Sequence, residues 1–138
     1  MVDRFVIDNS VIMAWCFEDE TSPYAEQVLD RLSEATAIVP TIWPLEVVNV
    51  LLVAERRRRL NPADSIRFLD LLVHLPIEVE EESPKQTMRE LLDLGRVGNI
   101  SSYDASYLAL ALKTGCPIAT LDSRILKVAK DLRVKILN

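Results

Sequence analysis

Along this chain, very short runs rich in Val and Ile alternate with longer stretches of helical periodicity, and that alternation decides the fold class. The short runs are Arg4–Ile7, Ala37–Val39, Ile77–Val79 and Pro117–Thr120, with a fifth at Val134–Leu137. Three or four apolar residues in a row suit a strand buried on both faces, whereas a strand with one wet face alternates apolar and polar. Helical crossovers between such strands imply a parallel sheet. The intervening segments predict helices at 10–17, 23–35, 44–59, 62–74, 84–95, 102–114 and 123–131. Three of them open on the same signal, Ser22-Pro23, Asn61-Pro62 and Ser83-Pro84, a polar N-cap followed by a residue with no amide hydrogen to leave unpaired. Gly115 after Lys113-Thr114 reads as a helix stop. The expected fold is α/β: one domain over 1–138, with a parallel sheet of about five strands sandwiched between helices.

Several function classes drop out. The three glycines, Gly95, Gly98 and Gly115, form neither a GxGxxG turn nor a phosphate-binding P-loop. One histidine, His74, and two distant cysteines, Cys16 and Cys116, exclude a site built from several imidazole or thiolate ligands. The cysteines read as small hydrophobes in a reducing cytosol. The opening Met-Val-Asp-Arg-Phe-Val-Ile-Asp has no apolar run of signal-peptide length. The stretch from Ile42 to Ala54 contains Glu46 and Asn49 and is too short to span a bilayer. A cytoplasmic protein with no membrane association is expected. Asp and Glu number 21 against 16 Lys and Arg, a net charge of −5, which on bulk charge argues against nucleic-acid binding.

Four acids stand outside the charged surface runs. Asp8 ends the first strand, in Phe5-Val6-Ile7-Asp8-Asn9-Ser10, and Asp122 ends the fourth, in Ile118-Ala119-Thr120-Leu121-Asp122. Glu46 lies inside the apolar Pro44-Leu45-Glu46-Val47-Val48-Asn49-Val50-Leu51, and Asp104 lies in the first turn of Ser102-Tyr103-Asp104-Ala105-Ser106-Tyr107-Leu108. The carboxyl ends of parallel strands are where open α/β sheets bind ligands. Each acid also has a plain structural reading: Asp8 and Asp122 as helix N-caps, Asp104 as a first-turn acid complementing the helix dipole, Glu46 as one half of an ion pair with an Arg. Asn49, at i+3 from Glu46, shares its helix face and is placed to hold the carboxylate. Brought together, the four charges repel by about 4 kcal/mol per pair at 4 Å and an effective dielectric of 20. Only a cation among them offsets that, and an all-oxygen donor set selects a hard ion, Mg²⁺ or Mn²⁺.

In this order and context, Asp8, Glu46, Asp104 and Asp122 resemble the acidic quartet of PIN-domain ribonucleases, and more narrowly of the VapC-type toxins. Val6-Ile7-Asp8-Asn9-Ser10 is similar to the family's first-strand motif, Leu45-Glu46-Val47-Val48-Asn49 to its Glu helix, Ser102 to Ala111 to its second acidic helix, and Ala119-Thr120-Leu121-Asp122 to its last strand motif. The resemblance implies a Mg²⁺- or Mn²⁺-dependent endoribonuclease acting as the toxin of a toxin–antitoxin pair. Its implied partners are RNA, a cognate antitoxin and a second copy in a homodimer. Asp8, Asp104 and Asp122 hold the metal on this view. Glu46 binds it through water or orients the attacking water. Ser10 and Thr120 fix the carboxylates, and Asn49 does so for Glu46.

For the anionic substrate, Arg124 is the prime candidate, with Arg56, from the run Arg56-Arg57-Arg58-Arg59, and Arg96 behind it. Arginines at a helix end also complement the dipole without any substrate. Two other readings remain at this point. A receiver-type phosphoacceptor domain has a similar fold and length, but it calls for paired acids after the first strand, where this chain has Asp8-Asn9-Ser10, and for a Lys ending the last strand, where Lys135 comes at the start. A catalytically inactive PIN-like binding module is the second.

Overall fold

The computed structural model describes residues 3–138. Four parallel strands form one sheet: β1 (Arg4–Ile7), β2 (Thr36–Val39), β3 (Ile77–Val79) and β4 (Ile118–Ala119), in the order β3-β2-β1-β4. The register runs Arg4 with Thr36 and Val6 with Ile38 on one side of β1, and Val6 with Ile118 on the other. Seven helices connect and flank them: α1 (Asn9–Cys16), α2 (Pro23–Arg31), α3 (Trp43–Arg56), α4 (Pro62–Val73), α5 (Pro84–Gly98), α6 (Ser102–Thr114) and α7 (Ser123–Asp131). Among the described residues, no helix is long and apolar enough to cross a membrane.

The sheet has four strands rather than about five. The segment expected as a fifth, 134–137, meets the sheet through a single bridge between Ile118 and Ile136. That bridge consists of two backbone bonds, Ile118 N–H to the Lys135 carbonyl and Leu137 N–H to the Ile118 carbonyl, both 2.9 Å, and side chains add to it: the Tyr24 hydroxyl donates to the Leu137 carbonyl at 2.7 Å, and Arg31 reaches the Asn138 carbonyl. β4 is likewise shorter than expected, Ile118–Ala119 against Pro117–Thr120.

In β1, Phe5, Val6 and Ile7 are all fully buried, as are Ala37, Ile38 and Val39 of β2. Adjacent residues point to opposite faces, so both faces of the central strands are covered, as their unbroken apolar runs require. Helix α6 carries much of this core through Tyr107, Leu108 and Leu110, all fully buried.

Chain order and sheet order together place the functional edge. From β1 the chain moves to β2 and β3 on one side, then returns across the sheet to β4 on the other. The connections leaving the carboxyl ends of β1 and β4 diverge, and such a switch point opens a crevice.

Local signals explain the helix ends. Ser22 accepts from the Ala25 amide, and Asn61 with Asp64 forms a reciprocal capping box. Ser83, expected to cap, makes no side-chain cap bond. Helix α2 stops at Arg31, four residues before the expected end, in a turn closed by Ala35 N–H on the Arg31 carbonyl. Helix α3 stops at Arg56 rather than 59: Arg58 takes a left-handed φ of 59°, and Arg59 pairs with Asp19 and stacks its guanidinium 4.1 Å from the Phe17 ring centroid. Helix α5 runs past Gly95 to Gly98, with left-handed Asn99 as its stop.

Gly115 ends α6 at φ 70° with nothing within 4 Å of a Cβ placed there. Replacement therefore tests backbone strain alone. Gly115→Ala is expected to cost about 1 kcal/mol in urea denaturation and Gly115→Asn less, since Asn tolerates the left-handed region.

Candidate active site

The four singled-out acids all arrive at the carboxyl edge of the sheet, around the β1/β4 switch point. Asp8 directly follows β1. Its amide extends the ladder by donating to the Ala119 carbonyl at 2.9 Å. It occupies the N-cap position of α1 yet makes no side-chain cap bond. Instead one oxygen, Oδ2, accepts from the Ser10 hydroxyl at 2.6 Å and the Thr120 hydroxyl at 2.9 Å. Each hydroxyl in turn accepts a backbone amide of the β4–α7 connection: Leu121 N–H on Ser10 Oγ at 3.0 Å, Asp122 N–H on Thr120 Oγ1 at 3.0 Å. Ser10 and Thr120 thus hold Asp8, as the sequence motifs implied, and in doing so they lock the loop after β4 to the end of β1.

Asp122 follows that loop and caps α7, its Oδ1 accepting the Arg124 amide at 2.8 Å. Asp104 sits in the first turn of α6 behind the Ser101 cap, with Ser101 Oγ accepting its amide at 3.1 Å. Glu46 sits in the first turn of α3, where its Oε1 accepts the Tyr107 hydroxyl at 2.5 Å. No arginine pairs with it among the described residues, so the plain ion-pair reading of Glu46 does not hold.

The electrostatics of the four differ by position. Asp8, 4% exposed, is raised above the usual carboxylate range: burial outweighs the Ser10 and Thr120 hydrogen bonds, and the charge of Asp104 adds to the push. Glu46 is raised by burial, against the Tyr107 hydrogen bond, with Asp8 and Asp104 adding to it. Asp104 is raised by burial and by Asp122, partly offset by Arg124. Asp122 runs the other way: burial pushes it up, but the Arg124 guanidinium and amide pull it further down. Tyr107 is held far above its ordinary range by burial and by Glu46, which keeps its hydroxyl a donor to Glu46.

A PIN-domain family model matches residues 5–131. The chain belongs to the PIN-domain family. A relative from Pyrobaculum aerophilum named Ribonuclease VapC3 is 27% identical over 122 residues, covering 88% of this chain and 92% of that protein. The crystal structure of PAE2754 from Pyrobaculum aerophilum superposes with a TM-score of 0.70 at 21% identity, over 93% of this chain and 87% of that one. A PIN-domain match over nearly the whole chain displaces the receiver-domain reading.

Within this PIN domain, other expectations are corrected. Asn49 is exposed and makes no hydrogen bond to Glu46 among the described residues; Tyr107 does that work from α6. Tyr107 was legible in principle, since it lies three residues after Asp104 on the same helical face, but a Tyr in an apolar run reads as core. Of the candidate phosphate-binding arginines, only Arg124 reaches the acids. Arg56 is at the far end of α3 from Glu46, ten residues and so about 15 Å of helix rise away. Arg96 is exposed on α5 and lines a groove with Met88, Leu92 and Ser102 rather than the acid cluster.

Metal fit divides into chemistry and spacing. The donors are all hard oxygens, Asp8, Glu46 and Asp104 are each raised in part by a neighbouring acid, and Asp8 Oδ1 lies outside its hydroxyl network. That donor set suits a hard divalent ion. In this conformation, among the described residues, no three acidic, histidine or cysteine side chains converge closely enough to enclose one.

Two predictions follow from the hydrogen bonds and the charges. Thr120→Val, nearly isosteric at a site 3% exposed, removes a donor to Asp8 and orphans the Asp122 amide; it should lower stability by about 2 kcal/mol in chemical denaturation. For the raised acids Asp8, Glu46 and Asp104, stability is full below the unfolded-state value and is lost as pH rises through the folded-state value. Asp122 has the opposite sign. The metal-free protein should therefore lose melting temperature as pH rises above the ordinary carboxylate range, and Asp8→Asn should lessen that loss in thermal melts.

Proposed function

We propose that this PIN-domain chain is a Mg²⁺- or Mn²⁺-dependent endoribonuclease, the toxin of a toxin–antitoxin pair, and that it hydrolyses RNA phosphodiester bonds at Asp8, Glu46, Asp104 and Asp122. The observation that carries the reading is electrostatic. Buried Asp8 and half-buried Glu46 and Asp104 are each pushed up by a neighbouring acid, Asp8 by Asp104, Glu46 by Asp8 and Asp104, and Asp104 by Asp122, an arrangement that costs stability and suits a cation-binding task. The relative named Ribonuclease VapC3 supports it.

On this reading Asp8, Asp104 and Asp122 hold the ion. When bound, the ion supplies Lewis acidity toward the scissile phosphate and an activated water. The protein's part is positioning and proton handling. Ser10 and Thr120 fix the Asp8 carboxylate. Tyr107 holds Oε1 of Glu46 and leaves Oε2 to orient the attacking water and take its proton. Histidine has no part, since His74 caps the far end of α4 with its ring on the Asp70 carbonyl. Burial and the neighbouring acids push Glu46 above the ordinary carboxylate range, the direction that makes a carboxylate a stronger base.

The reading also includes an antitoxin and a homodimer. A groove of about 600 Å³ beside Glu46, lined by Leu45, Val48, Leu52 and Tyr103, offers apolar ground next to the acids.

Purified protein should cut labelled RNA with Mg²⁺ or Mn²⁺ and stop on adding a chelator. Glu46→Gln should lower kcat by about 10²-fold or more, and Asp104→Asn should abolish cutting with its circular dichroism unchanged. Chelator-resistant cutting, or full activity in Asp104→Asn, sinks the assignment. No cutting by the wild-type chain on a panel of RNAs points instead to the inactive PIN-like binding module.

A further inference from the structure

Arg124 opens α7 two residues after Asp122, and its guanidinium lies across two of the four acids. Nη2 is 3.2 Å from Asp122 Oδ2 and 3.7 Å from Asp104 Oδ2, while Nε points to Asp122 Oδ1 at 3.4 Å. Among the described residues no other Lys or Arg pairs with any of the four acids. The side chain is 71% exposed, so packing does not hold it there; charge and the planar fork of donors do.

Arg124 engages Oδ2 of Asp104 and both oxygens of Asp122, the two acids read above as holding the metal. A guanidinium and a divalent ion compete for the same lone pairs and repel each other. Arg124 is also free to leave, being a long side chain rooted on a helix whose own cap, Asp122 Oδ1 on the Arg124 amide, does not depend on the guanidinium.

We propose that Arg124 is a built-in counter-ion: it bridges Asp104 and Asp122 in the metal-free protein, yields them when a divalent metal binds, and then presents its guanidinium to the substrate phosphate beside that metal. The inference rests on the reading of Asp104 and Asp122 as metal-holding groups. It gives one residue two opposed effects, weakening metal binding and strengthening substrate binding.

The test compares the wild-type chain with Arg124→Gln. Mn²⁺ affinity is measured by titration calorimetry without RNA, and KM for a labelled single-stranded RNA is measured at saturating Mn²⁺. The variant should bind Mn²⁺ tighter, by roughly fivefold, the scale of an exposed ion pair, and should show a raised KM. Equal or weaker Mn²⁺ binding by Arg124→Gln, with clear binding by the wild type, overturns the counter-ion role and leaves the nuclease reading standing. Tighter Mn²⁺ binding with an unchanged KM overturns the hand-over to phosphate. No Mn²⁺ binding by either protein overturns the metal reading itself, and this inference with it.

Discussion

A single carboxylate oxygen organises the functional edge of this fold. Oδ2 of Asp8 receives two hydroxyls, Ser10 and Thr120, and each hydroxyl receives an amide from the loop between β4 and α7. A hydroxyl both donates and accepts, so two small side chains turn one buried acid into a clamp between sequence positions more than a hundred residues apart. Asp122 is brought to the site by that clamp, because its own amide is one of the bonded groups. The cost is a carboxylate removed from water, visible in the upward pressure on its protonation. The hydroxyls soften that pressure only in part.

Charge count and charge placement part ways here. The chain's surplus of acids is real, but Asp8 is buried, Glu46 and Asp104 are half-buried, and each is pushed up by a neighbouring acid. The field an anion meets depends on what neutralises this cluster, and −5 over the whole chain says little about it. Arg59 makes the converse point. It stands in the most basic run of the sequence, yet its guanidinium is engaged with Asp19, Glu20 and the Phe17 ring.

Much of the architecture was legible because the relevant signals are local. The boundaries of β1, β3, α6 and α7 follow from apolar runs, caps and a left-handed glycine. The ends of α2, α3 and α5 were not legible, since left-handed Arg58 and Asn99 are tertiary choices that propensity does not announce. The fifth strand failed for a related reason: apolar character draws 134–137 against the sheet, but ladder pairing needs a matching partner, and β4 offers only a bridge at Ile118. In the site, the four acids were legible because each sits at a strand end, inside an apolar run or in a helix's first turn, away from the charged surface runs. The partner of Glu46 was not. A spacing rule nominated Asn49 on the same helix, whereas Tyr107 comes from 61 residues away and looks like core.

The strand that carries Thr120 and Asp122 to the site is also the shortest of the sheet. β4 pairs with β1 through two residues and meets its outer neighbour at one bridge. Short ladders open more readily than long ones, and local openings proceed in cooperative pieces. Here the piece that opens carries Asp122 and the Thr120 hydroxyl that holds Asp8. Parting of β4 from β1 and dismantling of the site are one event, so any ligand that spans Asp8 and Asp122 also acts as a staple on the sheet edge, tightening the fold by mass action as it binds.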